Sequence, residues 1–183
     1  EVTNPSAAFL AQRVASAAGS AVAVPLEGSR ALLVEVQALV AATAFGMPRR
    51  TAVGVDLNRL HLLIAVLTKR LGLALGNQDV YVNAVGGLRL AEPACDLGLA
   101  AAIASSYRDK VLPADLAFVG EVGLQGELRP VSQIERRLTE AQRMGFRRCV
   151  VPASDAKRLR SGNGQQLIGA TELRDAFEIA FAA

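Results

Sequence analysis

The run PACDLGLAAAIASSY, from Pro93 to Tyr107, constrains the fold more than any other stretch of the chain. Proline suits the first position of a helix, where its missing N–H removes a donor that would be unpaired anyway. Alanine and leucine dominate the residues after it, so the helix opening near Ala94 is apolar nearly all round and must be buried.

The rest of the chain reads as strands and helices placed around that helix. Residues 21–26 and 31–38 form two extended runs joined by Glu27-Gly28-Ser29-Arg30, a glycine-containing hairpin signal. In the second run Leu33, Glu35 and Gln37 alternate with Leu32, Val34 and Val36, the period of a half-buried strand. Asp56 or Asn58 caps a helix running to Leu71, and Val80 to Val85 is a strand closed by Gly86-Gly87. A short strand at 116–119 precedes a hairpin over 122–128. Ser132-Gln133-Ile134-Glu135 has the form of a capping box, opening a helix that ends at Met144 and Gly145. A strand over 149–151, a small helix near 154–159, a polar loop at 161–164 and a last helix capped by Thr171 complete the order. Irregular interleaving with hairpins favours an α+β domain, a mixed sheet with packed helices, over a doubly wound parallel sheet.

An aliphatic core of this kind agrees with 51% hydrophobic and only 4% aromatic residues, in a chain of 183 residues that fits one domain. Cys95 and Cys149 lie in apolar stretches without metal spacing, which favours buried free thiols and a reducing compartment. A single histidine excludes a histidine-rich metal site. The longest apolar run, 32–47, is interrupted by Glu35 and Gln37 and is too short to span a bilayer. No membrane partner and a cytoplasmic location are expected. Because the chain opens on Glu1, it is expected to be a fragment of something longer. Net charge is only +3, but seventeen of the twenty basic residues are arginines. That choice suits bidentate contacts to phosphate and carboxylate, although a GC-rich coding sequence favours arginine equally.

The chemistry on offer is narrow. No GxxxxGK[ST] phosphate loop occurs, and the glycines at 120, 123 and 126 are better explained by tight turns. His61 is expected on the apolar face of its helix, as a core or interface residue rather than a base for Cys95 or Cys149. Glu121 and Glu127 read as solvated charges flanking a hairpin. Ser105 and Ser106 are expected to bond a carbonyl one turn back.

The blocks LLVEVQALV, GVDLNRL, KRLGL, NQDVYVNAVGGLRL, EPACDL, GEVGLQGELRPV and GFRRCVVP, with NPS near the start, cover most of the chain. Together they resemble the C-terminal domain of the RadA/Sms family of DNA repair proteins, and more distantly the Lon proteolytic domain. The resemblance implies a ribosomal protein S5 domain 2-like fold over residues 21–183, with residues 1–20 the tail end of a junction from a preceding ATPase domain.

Lon-type peptidases need a serine whose proton is taken by a buried lysine of lowered pKa. At the matching positions stand Ala94 and Glu135, and the three lysines, Lys69, Lys110 and Lys157, are elsewhere. Cys95 comes one position later, turned by about 100° on a helix, and is expected to face Glu135, which would raise a thiol pKa. Peptidase activity is therefore expected to be absent. What the resemblance implies instead is a ring, most simply hexameric, behind an ATP-driven branch-migration motor, with single-stranded or branched DNA as partner and recombinase machinery nearby. On that resemblance Arg30, Arg50, Arg59, Arg89 and Arg129 are the DNA-contact candidates, each with a solvated surface or inter-subunit ion pair as its alternative. Arg136, Arg137, Arg143, Arg147 and Arg148 are expected as helix-surface or subunit-contact charges. ATP with magnesium, and zinc, belong by the same resemblance to domains outside this chain. A pure ring scaffold and a residual peptidase remain as rivals.

Overall fold

The computed structural model describes residues 4–159 and 164–182. In chain order they form α1 (Pro5–Leu10), β1 (Ser20–Ala23), β2 (Leu26–Glu27), β3 (Arg30–Ala31), β4 (Val34–Ala42), β5 (Arg50–Val53), α2 (Leu57–Leu71), β6 (Gln78–Ala84), α3 (Asp96–Arg108), β7 (Leu116–Phe118), β8 (Glu121–Val122), β9 (Leu128–Arg129), α4 (Ile134–Arg143), β10 (Arg148–Pro152), α5 (Ala153–Arg158), β11 (Gln166–Ala170) and α6 (Leu173–Ala182). Single 3-10 turns at Leu75–Asn77 and Pro93–Cys95 precede β6 and α3.

Seven strands make one mixed sheet in the order β11-β10-β7-β1-β4-β6-β5. The pairs on the β11 side of β1 are parallel, β1–β4 and β4–β6 are antiparallel, and β5 returns parallel to β6. The expected mixed sheet with packed helices is what forms. The first hairpin forms too, in two pieces: Ser20 to Ala23 pair with Gln37 to Val34 in the large sheet, and β2–β3 make a small ladder beyond Pro25.

The buried helix is as its composition requires: Asp96 through Ser105 are all buried in α3. Gly98 permits the close approach, since a Cβ there would lie 3.0 Å from the Cβ of Ala23 on β1. Around α3, side chains of α2 (Leu60, Leu63, Leu67) and α6 (Leu173, Phe177) complete the larger core on one face of the sheet. Asp56, not Asn58, caps α2 by accepting the Arg59 N–H at 2.9 Å, and Gly72 ends it at φ 69°. On the other face a second core joins Val22, Val24, Leu33, Ala117, Val119 and Val151 to Ile134, Leu138 and Ala141 of α4. Helix α1 packs on this body as well, with the buried Ser6 hydroxyl donating to Glu140 and accepting the Leu33 N–H.

Several local expectations are corrected. Helix α4 begins at Ile134 with Gln133 at φ 52° and no side-chain cap, so Ser132 and Glu135 do not form a box. The Ser132 carbonyl is instead taken by Arg137 Nε at 3.0 Å. Helix α6 begins at Leu173, one position later than a Thr171 cap requires, and the Thr171 N–H donates to Asp175. Ser105 and Ser106 reach the sheet rather than their own helix: they accept the N–H groups of Gly19 and Val40, and Ser105 donates forward to the Lys110 carbonyl. His61 is exposed, because Leu60, Leu63, Ile64 and Leu67 form the buried stripe of α2. Glu35 is buried, because β4 is covered on both faces as far as Val36. The polar loop expected at 161–164 lies outside the described residues except for Gly164.

Candidate functional site: the Pro93–Asp96 turn and the arginine surface

By the resemblance, a nucleophile would be sought at Ala94 in the turn before α3 and a base at Glu135 on α4. Ala94 is 4% exposed, a buried methyl whose carbonyl accepts the Gly120 N–H at 3.0 Å. Glu135 is exposed on α4, about 100° round from the buried Ile134. It therefore does not face Cys95, correcting the expectation. The carboxylate acting on Cys95 is Glu92: burial first, then Glu92, pushes the Cys95 thiol far above its ordinary range. Cys149, also buried, is pushed up to about 12 by desolvation. Thiols that remain protonated at neutral pH are poor nucleophiles.

Two ion pairs flank this turn. Arg137, fully buried, grips Glu92 with both terminal nitrogens, at 2.6 and 2.8 Å, and donates to the Val24 and Ser132 carbonyls. The expectation of a surface or subunit-contact role for Arg137 is thereby corrected. Its position is set by period: Ile134, Arg137, Leu138 and Ala141 share the i, i+3, i+4, i+7 face that α4 buries. Burial would raise the Glu92 carboxyl, but Arg137 and the Leu26 N–H outweigh it and hold the group below the usual carboxylate range. On the other side Asp96, 1% exposed, is gripped by Arg59 and accepts the Val122 N–H at 3.0 Å. Burial keeps the Asp96 carboxyl above its ordinary value, while the bond to Asp96 raises the Arg59 guanidinium. Neither pairing was expected from sequence, although a charged residue inside a wholly apolar helix signals a required counter-ion.

The glycine-spaced segment beside the turn is a built hairpin. Its amides are committed: Gly120 to Ala94, Val122 to Asp96, Gly123 to the Glu127 carbonyl, Gln125 to the Glu127 carboxylate and Gly126 to Gly123. No row of free N–H groups remains to cradle a phosphate, so these residues do not fit a nucleotide. Among the described residues no group of three or more His, Cys, Asp or Glu could hold a metal ion. Among the same residues no helix is long and apolar enough to cross a membrane.

The five arginines singled out from sequence do not share one surface role. Arg50 is half-buried and donates to the carbonyls of Arg49, Leu75 and Gln78, fastening the start of β5 to the turn before β6. Arg59 is committed to Asp96 and to the Val122 carbonyl. Arg129, opposite Glu121 on β9, pairs with Glu127 at 2.8 Å. Arg30 and Arg89 are exposed and come to one side of the molecule, where a groove is lined by Leu26, Glu27 and Gly28 of the first hairpin and by Leu88, Arg89 and Leu90. Arg136 joins them from α4, exposed, with one nitrogen on the Ser29 carbonyl at 3.0 Å. By spacing alone Arg136 belongs with its helix neighbours, because the approach of α4 to β3 leaves no mark on the local sequence.

Known proteins share this sequence along most of its length. A family model described as subunit ChlI of Mg-chelatase matches residues 36–155. Proteins named DNA repair protein RadA match almost the whole chain: 50% identity over 177 residues in Bacillus subtilis, 48% over 179 in Halalkalibacterium halodurans and 47% over 182 in Streptococcus pneumoniae. These alignments take in 96%, 98% and 100% of this chain but 38%, 39% and 43% of the relatives, so the chain spans about two fifths of their length. The chain therefore belongs to the family that the ChlI model describes, and it is similar along almost all of its residues to part of the proteins named DNA repair protein RadA.

Proposed function

We propose that this chain is the oligomerisation and DNA-contacting part of a DNA repair protein, built on a ribosomal protein S5 domain 2-like, Lon-type scaffold without peptidase activity. Identity of 47–50% to proteins named DNA repair protein RadA carries the reading. The pairing of Glu92 with Arg137 and of Asp96 with Arg59 supports loss of the peptidase, because buried Ala94 offers no nucleophile and the neighbouring cysteine is held protonated. Residues 1–20 join the domain to a preceding ATPase, and ATP hydrolysis and branch migration belong to that remaining part of the protein. A cytoplasmic ring, hexameric by the family resemblance, would converge six copies of Arg30, Arg89 and Arg136 and focus a modest charge on single-stranded or branched DNA.

The rival reading, a ring scaffold that leaves DNA to the rest of the protein, draws support from the internal commitments of Arg50, Arg59 and Arg129. Fluorescence anisotropy of labelled single-stranded DNA with the isolated chain separates the two. Binding at low salt that weakens severalfold in the Arg30→Ala/Arg89→Ala variant is expected. An isolated, folded chain with no DNA affinity would leave the scaffold reading standing. Casein turnover by this chain would defeat the pseudo-peptidase part of the proposal.

A further inference from the structure

The elements that carry the exposed Arg30, Arg89 and Arg136 all meet one face of α1. Ser6, buried in that helix, donates its hydroxyl to Glu140 Oε1 at 2.8 Å and accepts the Leu33 N–H at 3.1 Å. Leu33 lies just past β3, the strand that presents Arg30, and Leu32 closes the same hairpin by donating to the Pro25 carbonyl at 3.0 Å. Glu140 stands one turn along α4 from Arg136, on the same side of that helix. A single hydroxyl thus ties together the bases of two arginine-bearing elements.

The third contact comes from Phe9, three positions after Ser6 and therefore on the same side of α1. Its ring lies against Gly86, where a Cβ would collide with the ring carbons Cδ1 and Cε1. Gly86 sits at φ 90°, so glycine serves the loop twice, in making the turn and in leaving room for the ring. Arg89 follows three residues later. The ends of its loop are fixed by the Val85 N–H on the Glu35 carbonyl at 2.9 Å and the Leu90 N–H on the Gly54 carbonyl at 2.7 Å. Phe9 supports the stretch between those two ties.

We propose that α1 is a clamp that sets the arrangement of Arg30, Arg89 and Arg136, with Ser6 and Phe9 as positioning residues for contact with DNA phosphates. The inference rests on the reading of these arginines as the DNA-contacting surface. Cations held on rigid elements bind more tightly than the same cations on loose loops, because less ordering is left to the binding step. Ser6 and Phe9 supply that order without touching DNA themselves. A segment that reads as a tether is, on this account, part of the framework of the binding surface.

The test uses the full-length protein and reads two quantities for Phe9→Ala. One is hydrogen exchange at residues 86–89; the other is affinity for labelled single-stranded DNA, in the native background and in Arg30→Ala/Arg89→Ala. Exchange at 86–89 is expected to rise severalfold while α2 and α3 keep their protection. DNA affinity should fall about threefold in the native background and stay unchanged in the arginine variant, a non-additivity that lost packing alone would not give. Should Phe9→Ala not fold, Ser6→Ala is read in the same way, with exchange followed at residues 30–33. Unchanged exchange overturns the proposal whatever the DNA affinity. An equal fall in affinity in both backgrounds overturns it as well. Raised exchange with native affinity overturns it where Arg30→Ala/Arg89→Ala binds more weakly. If that variant also binds like the native protein, the arginine reading itself has failed, and the clamp falls with it.

Discussion

Around the Pro93–Asp96 turn each carboxylate meets an arginine, half-buried Glu92 with buried Arg137 and buried Asp96 with half-buried Arg59. On the face of β4, β6 and β5 the buried carboxylate of Glu35 accepts the Ser20 hydroxyl at 2.7 Å, and that hydroxyl accepts Arg13 Nε in turn. One region pairs its carboxylates directly with arginines; the other reaches its cation, Arg13, only through the Ser20 hydroxyl. Closure of this kind does not by itself add stability, because desolvation of both ions opposes their attraction. It does make each partner indispensable to the other. Function is then to be sought away from the sealed turn, at the exposed arginines.

Arg137→Ala should give the largest effect and tests the sealed side. It strands the Glu92 carboxylate and the Val24 carbonyl, and should lower unfolding free energy by about 3–5 kcal/mol in urea. A loss below about 1 kcal/mol, the range of surface pairs, would erase the contrast between the two regions. The acid limb sharpens the same point. Glu92 is held below its ordinary value of 4.5, so its contribution is complete above that pH and is lost as pH falls through the lower folded value. The stability difference between the native chain and Glu92→Gln should therefore be constant above about pH 5 and shrink on further acidification. A difference that grows toward acid would contradict the pairing.

Smaller effects are expected for the thiols and for the exposed part of β4. Cys95 and Cys149 should react with a thiol reagent at pH 8 only after denaturant is added, as monitored by absorbance. Fast labelling of Cys95 in the native chain would mean that the turn opens. Leu39→Ser, on a residue 61% exposed, should change stability by no more than about 0.5 kcal/mol. A loss near that of Arg137→Ala would show that Leu39 is covered within the folded chain.

Much of the fold is legible in the sequence because its signals are local. The all-round apolar α3 announces its burial, the period of β4 its strand, and Asp56 with Gly72 the ends of α2. The failures share a physical cause, since they depend on what packs from far along the chain. Glu35 reads as solvated until α1 and the second core cover that part of β4, and Ser105 reads as a back-bonding helical serine until Gly19 comes against it. Of the site, Ala94 and Glu135 are singled out by the resemblance alone, and the partners that close the turn are not legible. Arg137 could have been found from its place on the buried stripe of α4; Arg136 could not, because its link to Ser29 spans two elements far apart in sequence. Nothing local distinguishes Arg59, which is held by Asp96, from Arg30 and Arg89, which carry no ion pair among the described residues.

The decisive experiment is the salt dependence of single-stranded DNA binding by the full-length protein, native and Arg30→Ala/Arg89→Ala. If these arginines contact phosphates, the variant binds more weakly, and the slope of log affinity against log salt becomes shallower by about 0.7 for each phosphate left unneutralised. Unchanged affinity and slope, in a variant that still assembles, would rule these arginines out as the DNA-contacting surface.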